Sequence, residues 1–322
     1  MNKYLLIPVV LFLNISFLSC KDSQVEDPSD SNNEFKVLVW NILNGGTEKS
    51  LPVNGLTEII EIIKHSEADI VLIVETYGAA PSIAEGLGYN YKLLSSNLSI
   101  YSRFPMNKML LFDIQIPSFN FGGTEVLVHD QYPIQVFNTW LDYLPHIRMV
   151  PVEETEENII QWELTNGNRY NEITTILKIL APHIENISES PIIIGGDFNS
   201  HSHLDWTYET KDLFDHGGAV VEWPISKAME NAGFIDSFRE INPKPETNIG
   251  ATHIVDLNDQ GNLLGWSKQY RIDYLYYQGN TVNAIDSESF VAPLGQKFDF
   301  HGERFYFPSD HGFVLTTFKI ID

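Results

Sequence analysis

The chain has 322 residues, 43% hydrophobic and 12% aromatic, which suits one large or two small folded domains and excludes global disorder. A formal charge of -23 excludes tight non-specific binding to phosphate backbones unless a local basic patch or a bound cation offsets it. The single cysteine, Cys20, excludes an intrachain disulfide.

At the N-terminus, Lys3 precedes an apolar run from Tyr4 to Leu18, broken only by Asn14 and Ser16 and followed by Ser19 and Cys20. A basic start, an apolar middle and a small-residue end predict a secretory signal, and the run is short of the ~20 residues a membrane span needs. The cysteine after Leu18-Ser19 resembles a bacterial lipobox, with Phe17 where Leu is usual. The expected boundaries are a signal peptide over 1–19, a lipidated Cys20 with an acidic tether over 20–34, and a folded domain over 35–322. That arrangement places the domain outside the cytoplasm, tethered to a bacterial outer membrane or cell surface. The alternatives are a plain signal peptide and a membrane anchor with an incidental cysteine.

From Phe35 the pattern alternates between strand and helix. Phe35–Trp40 reads as a strand ending at Asn41. Leu56, Ile59, Ile60 and Ile63 share one helical face, predicting a helix to Ala68. Asp69–Val74 is an apolar run of the kind buried on both faces, and it ends at Glu75. Ile134–Phe137 is a strand ending at Asn138, and Arg169–Leu180 a helix. Pro191–Ile194 runs into Gly195-Gly196-Asp197-Phe198-Asn199, Ile272–Tyr277 is a further strand, and Gly312–Ile320 the last. Tyr143–Asn168, acidic at its centre, and Asn280–Phe307 lack a period and read as insertions over one face. No internal repeat is present.

Polar residues therefore recur at strand ends, where a rigid sheet can hold them around one cleft. Glu75 ends a buried strand, where an unpaired carboxylate is costly and a metal ion would satisfy it. Asp273 lies inside an apolar and aromatic strand and needs a partner, for which a histidine is the natural choice. Trp40-Asn41, Val74-Glu75, Asn138-Thr139-Trp140-Leu141-Asp142, Gly196-Asp197-Phe198-Asn199, Arg271-Ile272-Asp273-Tyr274 and Ser309-Asp310-His311 occur in that order. Together they resemble the endonuclease/exonuclease/phosphatase superfamily, and the resemblance runs from Phe35 to the C-terminus.

The resemblance implies a deoxyribonuclease-I-like fold of the α/β class, a four-layer α/β sandwich with two packed mixed β-sheets flanked by helices. It implies a phosphoesterase that uses Mg²⁺ or Mn²⁺ and direct attack of water. Glu75 then looks like the principal metal ligand, with Asn41 and Asp310 near the same ion. Asp197 looks like the residue that orients or deprotonates water, Asn199 like a donor to the phosphate, and Asp273 and His311 like an orienting pair. Asn138 joins the catalytic set. Arg271, Trp140 and His203 are expected to touch substrate. Trp140 departs from the family, which often has His there; indole donates one hydrogen bond and transfers no proton at neutral pH. His146 is a candidate replacement. The acidic charge, the tether and Trp140 favour a phospholipid head group or a sugar or inositol phosphate. The alternatives are a secreted nuclease, with nucleic acid only as substrate, and a non-catalytic binding lipoprotein. A monomer is expected.

Overall fold

The computed structural model describes residues 33–110, 117, 119–214, 216–254 and 269–321. The signal-like segment, Cys20 and nearly all of the tether lie outside the described residues. Among the described residues no helix is long and apolar enough to cross a membrane.

Among the described residues sixteen strands are formed. They are β1 (Glu34–Asn41), β2 (Ile70–Val74), β3 (Asn90–Leu93), β4 (Leu98–Ser102), β5 (Met106–Leu110), β6 (Phe121–Val128), β7 (Tyr132–Trp140) and β8 (Ile192–Asp197). The second half adds β9 (Ile235–Asp236), β10 (His253–Ile254), β11 (Gln269–Tyr270), β12 (Asp273–Gln278), β13 (Val282–Phe290), β14 (Lys297–Phe300), β15 (Glu303–Tyr306) and β16 (Phe313–Ile320). Two six-stranded sheets carry the fold, in the orders β13-β16-β1-β2-β4-β3 and β5-β6-β7-β8-β12-β9. Each is mixed, with one parallel pair near its centre: β1 with β2, and β7 with β8.

The sheets pack face to face. Val37, Val39, Ile70 and Leu72 of the first meet Val136, Ile193 and Leu275 of the second in one buried cluster. These residues alternate along their strands with others that face outward, as a pleat requires. The outward set of the first sheet, including Leu38, Trp40, Val71 and Ile73, is covered by helices Gly55–Ser66 and Ala80–Leu87. The outward set of the second, including Phe137, Ile192 and Ile194, is covered by helices Arg169–Ile184 and Pro224–Asn231. The result is the expected four-layer sandwich.

A buried polar side chain also links the two sheets. Asn138 of β7 is fully buried, and its amide donates to the carbonyls of Ile73 on β2 (2.8 Å) and Ser99 on β4 (3.1 Å).

Two expected insertions are ordered. Within Tyr143–Asn168 lie a 3₁₀ turn, Ile147–Met149, and an α-helix, Glu156–Thr165. The Thr155 hydroxyl caps this helix by accepting from the Asn158 N–H, and Glu156 and Glu157 sit in the first turn, where acidic groups suit the helix dipole. Arg169 pins the segment from below. Its fully buried guanidinium pairs with Glu163 at 3.0 Å and donates to the carbonyls of Asp142 and Pro145. Within Asn280–Phe307, β13 forms an edge of the first sheet, and β14 and β15 form a hairpin.

Candidate active site

The central strands of both sheets end on the same side of the sandwich. Asn41 of β1 lies beside Val74 of β2, so Glu75 is the next residue out. In the second sheet Asp197 pairs with both Trp140 and Asp273. The chain can pass here only because position 196 is glycine. Gly196 has φ +148°, and a Cβ there would lie 1.9 Å from the Thr139 carbonyl oxygen. A cleft of about 310 Å³ opens over these ends. It is lined by Asn41, Glu75, Trp140, Asp197, Asn199, Asp310 and His311, together with Tyr77, Tyr143, His146 and His253.

On one wall Asp273, His311 and Asp197 form a chain. Asp273 is fully buried, and its carboxylate lies 2.9 Å from His311 Nδ1. The other ring nitrogen, Nε2, lies 3.8 Å from Asp197 Oδ2. Burial opposes charge on His311, but Asp273 and Asp197 together outweigh it and hold the imidazole well above its usual range. Burial and the Asp273 charge push Asp197 up to about 7, against the opposing pull of His311 and its hydrogen bonds. Asp197 accepts three hydrogen bonds and faces one positive charge. Oδ1 takes the Asn199 N–H (2.9 Å), and Oδ2 faces Trp140 Nε1 (3.2 Å), Asn41 Nδ2 (3.3 Å) and the imidazolium. Asp197 is thus a poised base with a fixed orientation.

The wall is braced from behind. Thr252 Oγ1 accepts from the Ile272 and Asp273 N–H groups, 3.1 Å each, and His253 forms an antiparallel bridge with His311. Trp40 Nε1 donates to the His311 carbonyl at 2.9 Å, and Ser309 Oγ donates to the Asn41 carbonyl at 2.7 Å.

The opposite wall centres on Glu75, which has φ +61°, an uncommon conformation for a non-glycine residue. It is held there by residues 43–46, all four at positive φ, which turn backbone donors toward it. Asn44 N–H donates to Oε2 at 2.8 Å, Gly45 N–H to the Glu75 carbonyl at 2.7 Å, and Asn41 Nδ2 to Oε1 at 3.2 Å. Asp310 Oδ1 is buried without any hydrogen-bond partner. An orphaned buried carboxylate oxygen that lines the same cleft as the Glu75 carboxylate and the Asn41 amide is a hard-oxygen donor set suited to a divalent cation. Asp197, Asp273 and His311 also have ligand atoms within 4.8 Å of one another. Their mutual hydrogen bonding already occupies His311 Nδ1, so the Glu75 wall is the better fit for a hard ion.

Three expected contacts lie elsewhere. Asn138, expected to be catalytic, spans the two sheets and does not line the cleft. Arg271, expected to touch substrate, is buried in an ion-pair network with Asp205 (2.9 Å) and Asp236 (2.6 Å), and Arg239 reaches the same Asp205 at 2.6 Å. His203 lines a separate groove, its Nδ1 2.8 Å from Ser226 Oγ. His201 is packed among Trp206, Trp223 and Tyr270 as core.

Several cleft residues carry no strong sequence signal. Tyr143 stacks on Trp140 with centroids 6.1 Å apart and planes at 13°, and Phe119 packs on the same indole at 5.5 Å. Tyr77 stands on the Glu75 side and is 40% exposed. The Asn44-Gly45-Gly46 run was the available signal for the loop that cradles Glu75, since such residues favour positive φ.

The sequence profile described as the Endonuclease/Exonuclease/phosphatase family matches residues 38–311. An uncharacterized protein of Caenorhabditis elegans is 29% identical over 325 residues, covering 97% of this chain and 99% of its own length. Among solved structures, truncated Caenorhabditis elegans TDP2 superposes with a TM-score of 0.55 at 19% identity, covering 89% of this chain and 97% of that one. An AP endonuclease from Archaeoglobus fulgidus gives 0.56 at 16% identity, covering 88% and 98%.

Proposed function

Because the chain belongs to the Endonuclease/Exonuclease/phosphatase family, whose members hydrolyse phosphoesters, we propose that it is an extracytoplasmic phosphodiesterase that hydrolyses a compact phosphoester by direct attack of water. The substrate class is a phospholipid head group or a sugar or inositol phosphate. Family membership sets aside a non-catalytic binding protein. The observation that carries the substrate reading is the cleft itself. It encloses about 310 Å³, and among the described residues no Lys or Arg lines it. A nucleic acid presents phosphates at regular spacing and is ordinarily met by several cations.

The roles follow from the geometry. Asp197, ionised, takes a proton from water. His311, oriented and kept charged by Asp273, faces the phosphoryl oxygens with Nε2. Asn199 spends one amide hydrogen on the Leu141 carbonyl at 3.0 Å and keeps the other for the phosphoryl group. Glu75, Asn41 and Asp310 would hold the divalent cation, which we assign as Mg²⁺ or Mn²⁺. When bound, it supplies positive charge that an acidic protein otherwise lacks at the phosphoryl group.

A nuclease is the second reading, favoured by the fold shared with an AP endonuclease. Both are tested with the folded domain, a panel of bis-nitrophenyl phosphate, sphingomyelin, inositol phosphates, DNA and RNA, and Mg²⁺, Mn²⁺ or EDTA. Metal-dependent turnover of a compact ester, lost in Glu75→Ala, is expected. Preference for DNA or RNA would select the second reading, and turnover retained in Glu75→Ala or Asp197→Ala would refute the mechanism.

A further inference from the structure

The cleft holds two histidines that the mechanism above leaves unused. His253 is buried except where it meets the cleft, with its ring 4.4 Å from that of His311 and tilted by 30°. His146 follows on its outer side at 5.9 Å, completing a row of three imidazoles from the phosphoryl wall toward the rim.

Hydrogen bonds assign the free nitrogens. His253 Nδ1 lies 3.1 Å from the Asp310 carbonyl oxygen. A carbonyl only accepts, so Nδ1 carries the hydrogen. Among the described residues no protein group bonds Nε2, which in the neutral ring presents a lone pair to the cleft. His146 has the opposite arrangement. Its Nδ1 accepts from the Arg148 N–H at 3.4 Å, which leaves its hydrogen on Nε2. Burial pushes this ring below the usual histidine range. With both rings neutral, the row offers one acceptor and one donor beside the phosphoryl site.

That pairing matches a hydroxyl group, which donates one hydrogen and accepts another. It does not match an apolar leaving group, which would leave both nitrogens without partners. The backbone holds His253 firmly in place. Its β-bridge to His311, and the bond from Gly312 N–H to the Thr252 carbonyl (2.5 Å), tie the acceptor to the wall that carries the catalytic imidazole. The stacked Trp140 and Tyr143 offer a flat apolar face at the same rim, against which a polyol ring can lie.

We propose that His253 and His146 are specificity-determining residues that recognise a hydroxyl on the leaving group, so that the substrate is the phosphoester of a polyol. The inference rests on the phosphoesterase reading above and narrows it. A site built to hydrogen-bond a hydroxyl discriminates strongly against the analogue that lacks one, because its own polar groups are then stranded.

The test compares inositol monophosphate with cyclohexyl phosphate, which share a ring and a phosphate and differ in hydroxyls. Each is measured as an inhibitor of bis-nitrophenyl phosphate hydrolysis and, with metal present, as a ligand by calorimetry. The wild type is expected to prefer inositol monophosphate by at least about tenfold in both. His253→Asn retains an amide where Nδ1 bonds the Asp310 carbonyl but has nothing at the position of Nε2; its preference is expected to fall to about twofold or less. His253→Gln, which restores a polar group near Nε2, is expected to recover part of it. Each preference is a ratio within one variant, so a general loss of activity cancels. A wild-type ratio below about threefold, or a ratio unchanged in His253→Asn, would overturn the proposal. Should the variants fail to fold, the wild-type ratio decides alone. Calorimetry separates this outcome from failure of the phosphoesterase reading, which would appear as no turnover of any phosphoester.

Discussion

Trp140→Phe isolates a single hydrogen bond at the candidate base. Phenylalanine keeps an aromatic ring between Phe119 and Tyr143 but removes the N–H that lies 3.2 Å from Asp197 Oδ2. A hydrogen bond to a charged acceptor contributes about 1.5–3 kcal/mol. It favours the ionised carboxylate, so its loss raises the pKa of Asp197, and at about 1.4 kcal/mol per unit the rise is about 1–2 units. Asp197 starts near 7. A base works only when ionised, so the acidic limb of kcat/KM moves to higher pH by the same interval. At pH 7 the variant should lose about 5- to 50-fold, approaching about 10- to 100-fold at lower pH, and the gap should close as the pH rises past both midpoints. The assay is the pH dependence of kcat/KM for bis-nitrophenyl phosphate at saturating Mg²⁺. A loss that is uniform with pH would mean that Trp140 acts on substrate instead of on Asp197. Superimposable profiles would refute the assignment of Asp197 as the titrating base.

Arg271→Met tests the ion-pair network beneath the site. It strips Asp236 of its guanidinium partner and leaves Asp205 with Arg239 alone, at a cost of about 3–5 kcal/mol, read as a lower urea midpoint. A variant of normal stability with a raised KM would instead restore Arg271 as a substrate contact. Arg169→Met should cost a similar ~3–5 kcal/mol and loosen the segment carrying Tyr143 and His146, so faster hydrogen exchange over 142–150 should accompany the lower midpoint. Unaltered exchange there would show that the segment holds itself. Cys20 should incorporate labelled fatty acid when the full chain is expressed in a Gram-negative host, and Cys20→Ala should not; label retained in Cys20→Ala would dismiss the lipid anchor.

The strand ends were legible because the strands leading to them are. Runs such as Ile70–Val74 and Ile192–Ile194 are apolar on both faces, so the first polar residue after each marks the sheet edge. What the pattern could not supply was depth. Asn138 and Trp140 are two residues apart on β7 and share a face, yet one lies inside the sandwich and the other at its mouth. Arg271 stands next to catalytic residues, but its partners, Asp205 and Asp236, come from distant parts of the chain. The helix Glu156–Thr165 was hidden for a different reason. Its segment lacked a clear period and read as an insertion acidic at its centre, when acidic residues after Thr155 equally mark a helix start. In β13 the polar run Asp286–Ser289 masked a strand that lies at the edge of its sheet and has a bulge after Ala284.

The site is split between two plates. Glu75 belongs to one sheet and Asp197 to the other, and apolar packing between sheets, being non-directional, specifies their sliding only loosely. Asn138 works as an indexing pin: its amide reads two carbonyls of the opposite plate at once, which a shift of one ångström would break. Alignment of the two half-sites is thereby set at a point that no substrate reaches. Selection for catalysis can keep an asparagine there with the same force it applies to the carboxylates, and a strand-end asparagine can be indispensable to the chemistry without taking part in it.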